Sequence, residues 1–141
     1  MSKVISLRLR DRPLESLRRV ARRMGRTPTE AASILLDEML RQSEFAFIEF
    51  RDSPTGRQPF LQGTRLKVWQ VASIARDFDG DVARTAAHLG IPPVQVAAAL
   101  NYEKSFPDEI EAAIRDNDRS EAELERLIPG LKVVGADARP A

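Results

Sequence analysis

The sequence has no cysteine and a single histidine. Without thiols there is no disulfide, no thiolate metal site and no cysteine nucleophile, and one imidazole cannot build a multi-histidine metal centre. Glycine is sparse, and Gly25 and Gly63 stand alone, so there is no glycine-rich phosphate loop. No apolar run is long enough to span a bilayer, and the chain starts on a charged, alternating stretch without an apolar leader. A cytoplasmic protein with no membrane partner is expected. Net charge is also nearly absent, at +1, but it is unevenly spread. Residues 1–42 carry ten Lys and Arg against five Asp and Glu, residues 43–100 six of each, and residues 101–141 six against ten. A basic head suits nucleic acid, and an acidic tail suits a basic protein partner or solubility. A length of 141 residues allows one medium domain or two small ones, and 43% hydrophobic with 30% charged residues is ordinary for a globular chain.

What is present is organised around residues 4–40. In residues 4–10 the apolar Ile5, Leu7 and Leu9 alternate with Ser6, Arg8 and Arg10, the period of a strand that buries one row and presents a cationic row. A short strand followed by helix has nothing local to pair with, so its backbone needs a second copy of the chain, and a homodimer or higher oligomer is expected. Asp11 is the expected N-cap of a first helix and Pro13 suits its first turn. Leu14, Leu17, Val20, Ala21 and Met24 then recur on one face, with Arg18, Arg19, Arg22 and Arg23 away from it. Gly25 ends this helix. Thr27-Pro28-Thr29-Glu30 gives the next one a cap, a first-turn proline and a capping-box glutamate. That second helix sets Ala31, Ile34, Leu35 and Met39 on one side and ends in Arg41-Gln42-Ser43.

Strand, helix, glycine turn and capped helix within residues 1–43 resemble the ribbon-helix-helix family of MetJ/Arc-type DNA-binding proteins. The resemblance implies an antiparallel ribbon of two N-terminal strands in the major groove of double-stranded operator DNA. On that basis Ser6 and Arg8 correspond to base-contacting positions, flanked by Lys3, Val4 and Arg10, and arginine is well matched to guanine. The amide-rich start of the second helix, with Arg26, Thr27, Thr29 and Glu30, corresponds to the family's phosphate clamp. The competing reading is a dimerisation unit whose arginines are merely solvated.

Residues 44–51 (EFAFIEFR) are apolar on both faces and read as a buried strand. Residues 52–56 form a turn by composition, and residues 57–61 return as a short hairpin partner confined to an edge by Pro59. Beyond it, Gly63 permits a bend that the Thr64 hydroxyl ties, ahead of Arg65 and a helix with Val68, Trp69, Val71, Ala72 and Ala75. Asp81 caps a second helix with Val82, Ala86 and Leu89 inward. Gly90 ends it, Ile91 plugs the turn, and Pro92-Pro93 opens a third carrying Val94, Val96, Ala97, Leu100 and Tyr102. Ala86, Gly90 and Val96 are placed as a helix-turn-helix requires: a small residue at the crossing, a turn glycine and an inward aliphatic.

Residues 60–110, with the GTR entry before Trp69, the LGIPPVQVAAAL turn and helix, and Tyr102 ahead of Phe106-Pro107-Asp108-Glu109-Ile110, resemble the domain-of-unknown-function family 433. Members of that family resemble VapB-type antitoxins, which implies a cognate PIN-like ribonuclease toxin as partner. The third helix differs from a DNA reader in chemistry. Among residues 93–101 only Gln95 and Asn101 are polar, and neither Arg nor Lys occurs, so this part is expected to be structural or protein-binding.

Residues 107–117 read as an amphipathic helix with Ile110, Ala113 and Ile114 on one side. Ser120-Glu121-Ala122-Glu123 reads as the capping box of a separate acidic helix with Leu124, Leu127 and Ile128, stopped by Pro129-Gly130, before a short apolar segment at 131–134 and a frayed end. Ile110, Ile114, Leu124, Leu127 and Ile128 are the expected toxin-facing row. Trp69 is expected to anchor a core, and His88 to be exposed without a catalytic companion. Asp77, Asp79 and Asp81 lack the rest of a cation loop, and Glu103, Asp108, Glu109 and Glu111 read as a solvated face. No catalytic constellation emerges, so neither enzymatic activity nor a cofactor is expected. The fold expected is mainly α: residues 1–43 as a ribbon-helix-helix module, 44–61 as a connecting strand or hairpin, 62–117 as a helical domain, and 118–141 as an acidic helix and tail. The function expected is a DNA-binding antitoxin that also neutralises a toxin. The alternative is a transcriptional repressor whose second domain serves oligomerisation or ligand sensing.

Overall fold

A computed structural model describes residues 3–128 and Gly130; the apolar segment expected at 131–134 and the frayed end lie outside the described residues. The protein is mainly helical, with a small two-stranded antiparallel sheet. Cα packing divides it into two units, Met1–Arg41 and Gln42–Ala141.

In the first unit, residues 3–10 are neither helical nor paired in a sheet, and all are exposed. Helix α1 (Asp11–Met24) follows. Its N-cap is Arg10, with no side-chain cap bond, so Asp11 is the first helical residue and not the expected cap. Its carboxylate there still favours the positive end of the helix. Gly25 closes α1 in the left-handed region at φ 66°, where a β-carbon is unfavourable, and the Arg26 N–H reaches back to the Ala21 carbonyl at 2.9 Å. Helix α2 (Pro28–Glu44) begins as the sequence predicts, with the Glu30 N–H donating to Thr27 Oγ1 at 3.2 Å. Ala21 and Ala31, one on each helix, are buried. Met39, expected on the inward face of α2, is 60% exposed, and Glu38 is buried in its place. The steps from Ala31 to Ile34, Leu35 and Glu38 keep to one helical face, and Met39 lies one residue past it.

The second unit opens with a correction. Residues 45–47 form a turn, not the start of a strand, because Phe47 takes a left-handed φ of 62°. The turn sends Phe45 into the core, edge-on to Tyr102 at 5.3 Å and Phe106 at 5.6 Å. Strand β1 (Ile48–Ser53) then pairs with β2 (Gly56–Leu61) in a register from Ile48 opposite Leu61 to Ser53 opposite Gly56. Pro54 and Thr55 form the loop, and Ser53 Oγ donates to the Gly56 carbonyl at 2.7 Å. Pro59 is harmless, since in a two-stranded sheet its missing N–H can face outward.

Four helices complete this unit: α3 (Val68–Asp77), α4 (Val82–Leu89), α5 (Pro93–Ser105) and α6 (Pro107–Leu127). Asp81 caps α4 by accepting from the Arg84 N–H at 2.9 Å, and Gly90 ends it. Ile48, Leu61, Val68, Val71, Ala72, Ala86, Val96, Ala99, Tyr102, Ile110 and Ile114 form the core. On α5 the inward row is Val96, Ala99 and Tyr102; Val94 and Ala97 are exposed. The break expected between residues 117 and 120 does not occur. Nothing there is Gly or Pro, and the Ser120 hydroxyl donates to the Asp116 carbonyl at 2.9 Å from within one continuous α6.

Candidate nucleic-acid interface

The residues with the clearest claim to a nucleic-acid partner all belong to the first unit. Lys3, Val4, Ser6, Arg8 and Arg10 lie in the exposed extended segment, Val4 at 95% exposure. None of the Lys3, Ser6, Arg8 and Arg10 side chains is held by a hydrogen bond or ion pair among the described residues. Their apolar neighbours are equally bare: Ile5 is 79% exposed, Leu7 69% and Leu9 44%. The segment therefore leaves two rows unsatisfied, one by apolar contact and one by counter-charge.

At the start of α2, Thr27 spends its hydroxyl as the cap, and Thr29 is exposed. Arg26 and Glu30 pair across one turn at 3.8 Å, both well exposed. Glu30 puts a negative charge where an incoming phosphate would approach, and Arg26 partly cancels it. Pro28 has no N–H and the Glu30 and Ala31 amides are already engaged by Thr27, so an anion bound here gains the Thr29 amide and Arg26 but must tolerate Glu30. No family model, curated protein or solved structure matches the chain. The functional reading accordingly rests on geometry and residue chemistry.

The second unit is chemically different. Gly63 makes the bend, and the Thr64 hydroxyl ties it by donating to the Leu61 carbonyl at 2.8 Å and accepting from the Leu66 N–H at 3.0 Å. The Thr64 carbonyl in turn accepts from Arg51 at 2.7 Å, while Arg65 is exposed. Trp69 packs against the core and its Nε1–H donates to Gln58 at 3.1 Å, so it is an anchor with a satisfied polar end. Ala86 and Val96 are buried where α4 and α5 meet. These residues hold the fold together, and the exposed side of α5 carries no cation before Lys104 in its last turn.

The expected toxin-facing row is split. Ile110 and Ile114 are buried in the second unit's own core and cannot meet a partner, whereas Leu124, Leu127 and Ile128 are exposed at 47%, 61% and 49%. The acidic residues expected to be solvated are partly engaged. Glu111 and Glu103 hold Arg76 at 2.7 and 3.4 Å, and Glu109 accepts from the Tyr102 hydroxyl at 2.7 Å. The hydrogen bond from Arg76 holds the Glu111 carboxyl below the ordinary glutamate range, and Glu111 raises the Arg76 guanidinium in return. These partners are 27 and 35 residues apart, and no local pattern announces them. His88 is exposed and lies 5.4 Å from the Phe78 ring.

Proposed function

We propose that the chain is a dimeric DNA-binding antitoxin: the first unit reads operator DNA, and the second presents the end of α6 to a ribonuclease toxin. The observation that carries the DNA half is the unsatisfied alternation in residues 4–10. Pairing with the same segment of a second copy buries Ile5, Leu7 and Leu9 and completes the backbone hydrogen bonds. It also sets Ser6 and Arg8 on one outward face, with Arg10 beside them, as a two-stranded ribbon that fits the major groove. Arg26 and Thr29, with the Thr29 amide, then hold the backbone phosphates.

The toxin half draws support from the exposed Leu124, Leu127 and Ile128 in a stretch where Asp and Glu outnumber Arg. An apolar anchor ringed by carboxylates suits the basic cleft of an RNA-cleaving enzyme. The test is a gel shift of the full chain on the DNA upstream of its own gene, with and without the co-expressed neighbouring gene product. Selective retardation, altered by a co-purifying basic partner, is the expected result. Selective retardation without any partner leaves a repressor whose second unit serves oligomerisation or ligand sensing, and no preference over random duplex refutes the DNA reading.

A further inference from the structure

The reading above leaves the arginines of α1 without a role. Arg12, Arg18, Arg19, Arg22 and Arg23 are all exposed. Among the described residues none pairs with a carboxylate, although Asp11 and Glu15 stand on the same helix; Arg19 donates only to Ser16 Oγ, at 3.0 Å. Elsewhere Arg41, Arg51, Arg57, Arg76 and Arg126 each meet an acid, while among the described residues Arg65, Arg84 and Arg119 do not; what sets α1 apart is that its arginines are collected on one helix. The arrangement on α1 is also directional. At 3.6 residues per turn, Arg12, Arg19 and Arg23 fall within about 40° of one another, opposite Leu14, Leu17 and Ala21, and span about 16 Å along the axis. Arg22 and Arg18 lie to one side of that row, about 80° and 120° from Arg12. A line of bare guanidinium groups of this length has the sign and reach to follow a phosphate backbone, and the planar fork of arginine binds phosphate oxygens in pairs. Cations that meet only phosphate oxygens carry no sequence information, so such a face contributes affinity without sequence preference.

We propose that the outer face of α1 is a second DNA contact, holding the phosphates of duplex that flanks the base-read site. The proposal rests on the DNA reading of the first unit and assigns it a wider footprint than residues 3–10 and the start of α2 supply.

The test uses the full chain and its Arg12→Gln/Arg19→Gln/Arg23→Gln variant, titrated at several salt concentrations. Three duplexes serve as probes: the upstream segment trimmed to what the protein protects, the same segment extended by about one helical turn on each side, and a random sequence of the extended length. The wild type is expected to bind the extended duplex at least tenfold tighter than the trimmed one. The variant should match the wild type on the trimmed duplex, lose the gain from extension, and show a salt slope smaller by about 5 on both long probes, three cations being lost from each protomer of the dimer. A variant that keeps the wild-type affinity and slope on the extended duplex overturns the proposal, as does an equal loss on trimmed and extended DNA. If the wild type does not prefer the upstream sequence, the operator reading fails but the random duplex still decides: a lowered slope in the variant supports the α1 face, and an unchanged one refutes it. Failure to bind any duplex refutes both. The substituted side chains are exposed, so an unchanged melt is expected; should the triple variant unfold, Arg19→Gln alone is expected to lower the slope on the random duplex by about two, one cation from each protomer, and an unchanged slope overturns the proposal.

Discussion

Arg8 and Arg26 are both exposed cations of the first unit, and under the proposed DNA reading their surroundings suit them to different work. Arg8 sits unpaired in an alternating segment, whereas Arg26 already shares Glu30 at the head of a helix. Arg8→Ala is therefore expected to cost about 1–3 kcal/mol on the operator while leaving weak binding to random DNA intact, and Arg26→Ala to weaken both alike and flatten the salt dependence. Equal losses for Arg8→Ala on both kinds of DNA would move it to the backbone. A second residue-scale consequence concerns acid. The Glu111 carboxyl lies lower in the folded protein than in the unfolded chain, so its pairing with Arg76 stabilises the fold above the ordinary glutamate range and is lost as pH falls through the lowered value. Glu111→Gln should lie below the wild type in stability at neutral pH and converge with it in acid, as pH falls through the lowered value. Melting curves across that range check the sign, and a gap that widens in acid would contradict it.

At the scale of elements, what was legible in the sequence was what single residues decide locally. Gly25, Thr27, Pro28, Asp81 and Gly90 mark helix ends because a left-handed turn or a side-chain cap needs only its immediate neighbours. Errors arose where a local signal had a stronger competitor. Ser120 looks like a cap, but with no breaker before it the helix runs through. Residues 45–47 look like a strand, but docking Phe45 among Tyr102 and Phe106 bends the chain instead. The candidate site divides in the same way. The exposed cations of residues 3–10 follow from alternation, while the burial of Ile110 and Ile114 depends on helices distant in sequence. The outer part of α6 supplies the prediction for this scale. Leu124, Leu127 and Ile128 are exposed, so deleting residues 118–141 should leave the melting of the second unit and DNA binding unchanged. Loss of rescue in cells expressing the neighbouring toxin would then place toxin capture on that segment. A fall in melting temperature would instead make it part of the fold.

For the whole molecule, the division into two units sets what each half can do alone. Every residue of the second unit's core, from Ile48 to Ile114, lies outside residues 1–41, so removing those residues should leave a folded fragment. Under the dimer reading the fragment is of lower oligomeric state by light scattering, and an unchanged mass ratio would show that the association lies elsewhere. The extended outer part of α6 has a further consequence, one of lifetime. Of its side chains beyond Asn117 only Glu121 is partly covered, through a bond from Asn117 itself, so the closing turns are held by their own backbone bonds and by exposed local contacts such as Ser120 to Asp116 and Arg126 to Glu123. A helical end of that kind opens at nearly no free-energy cost, while amides among Val96, Ala99 and Tyr102 open only when the unit unfolds. Hydrogen exchange should show a sharp rise in rate past Asn117. Within the second unit a protease in limiting amount should clip there first, releasing the acidic end and leaving the unit's core intact.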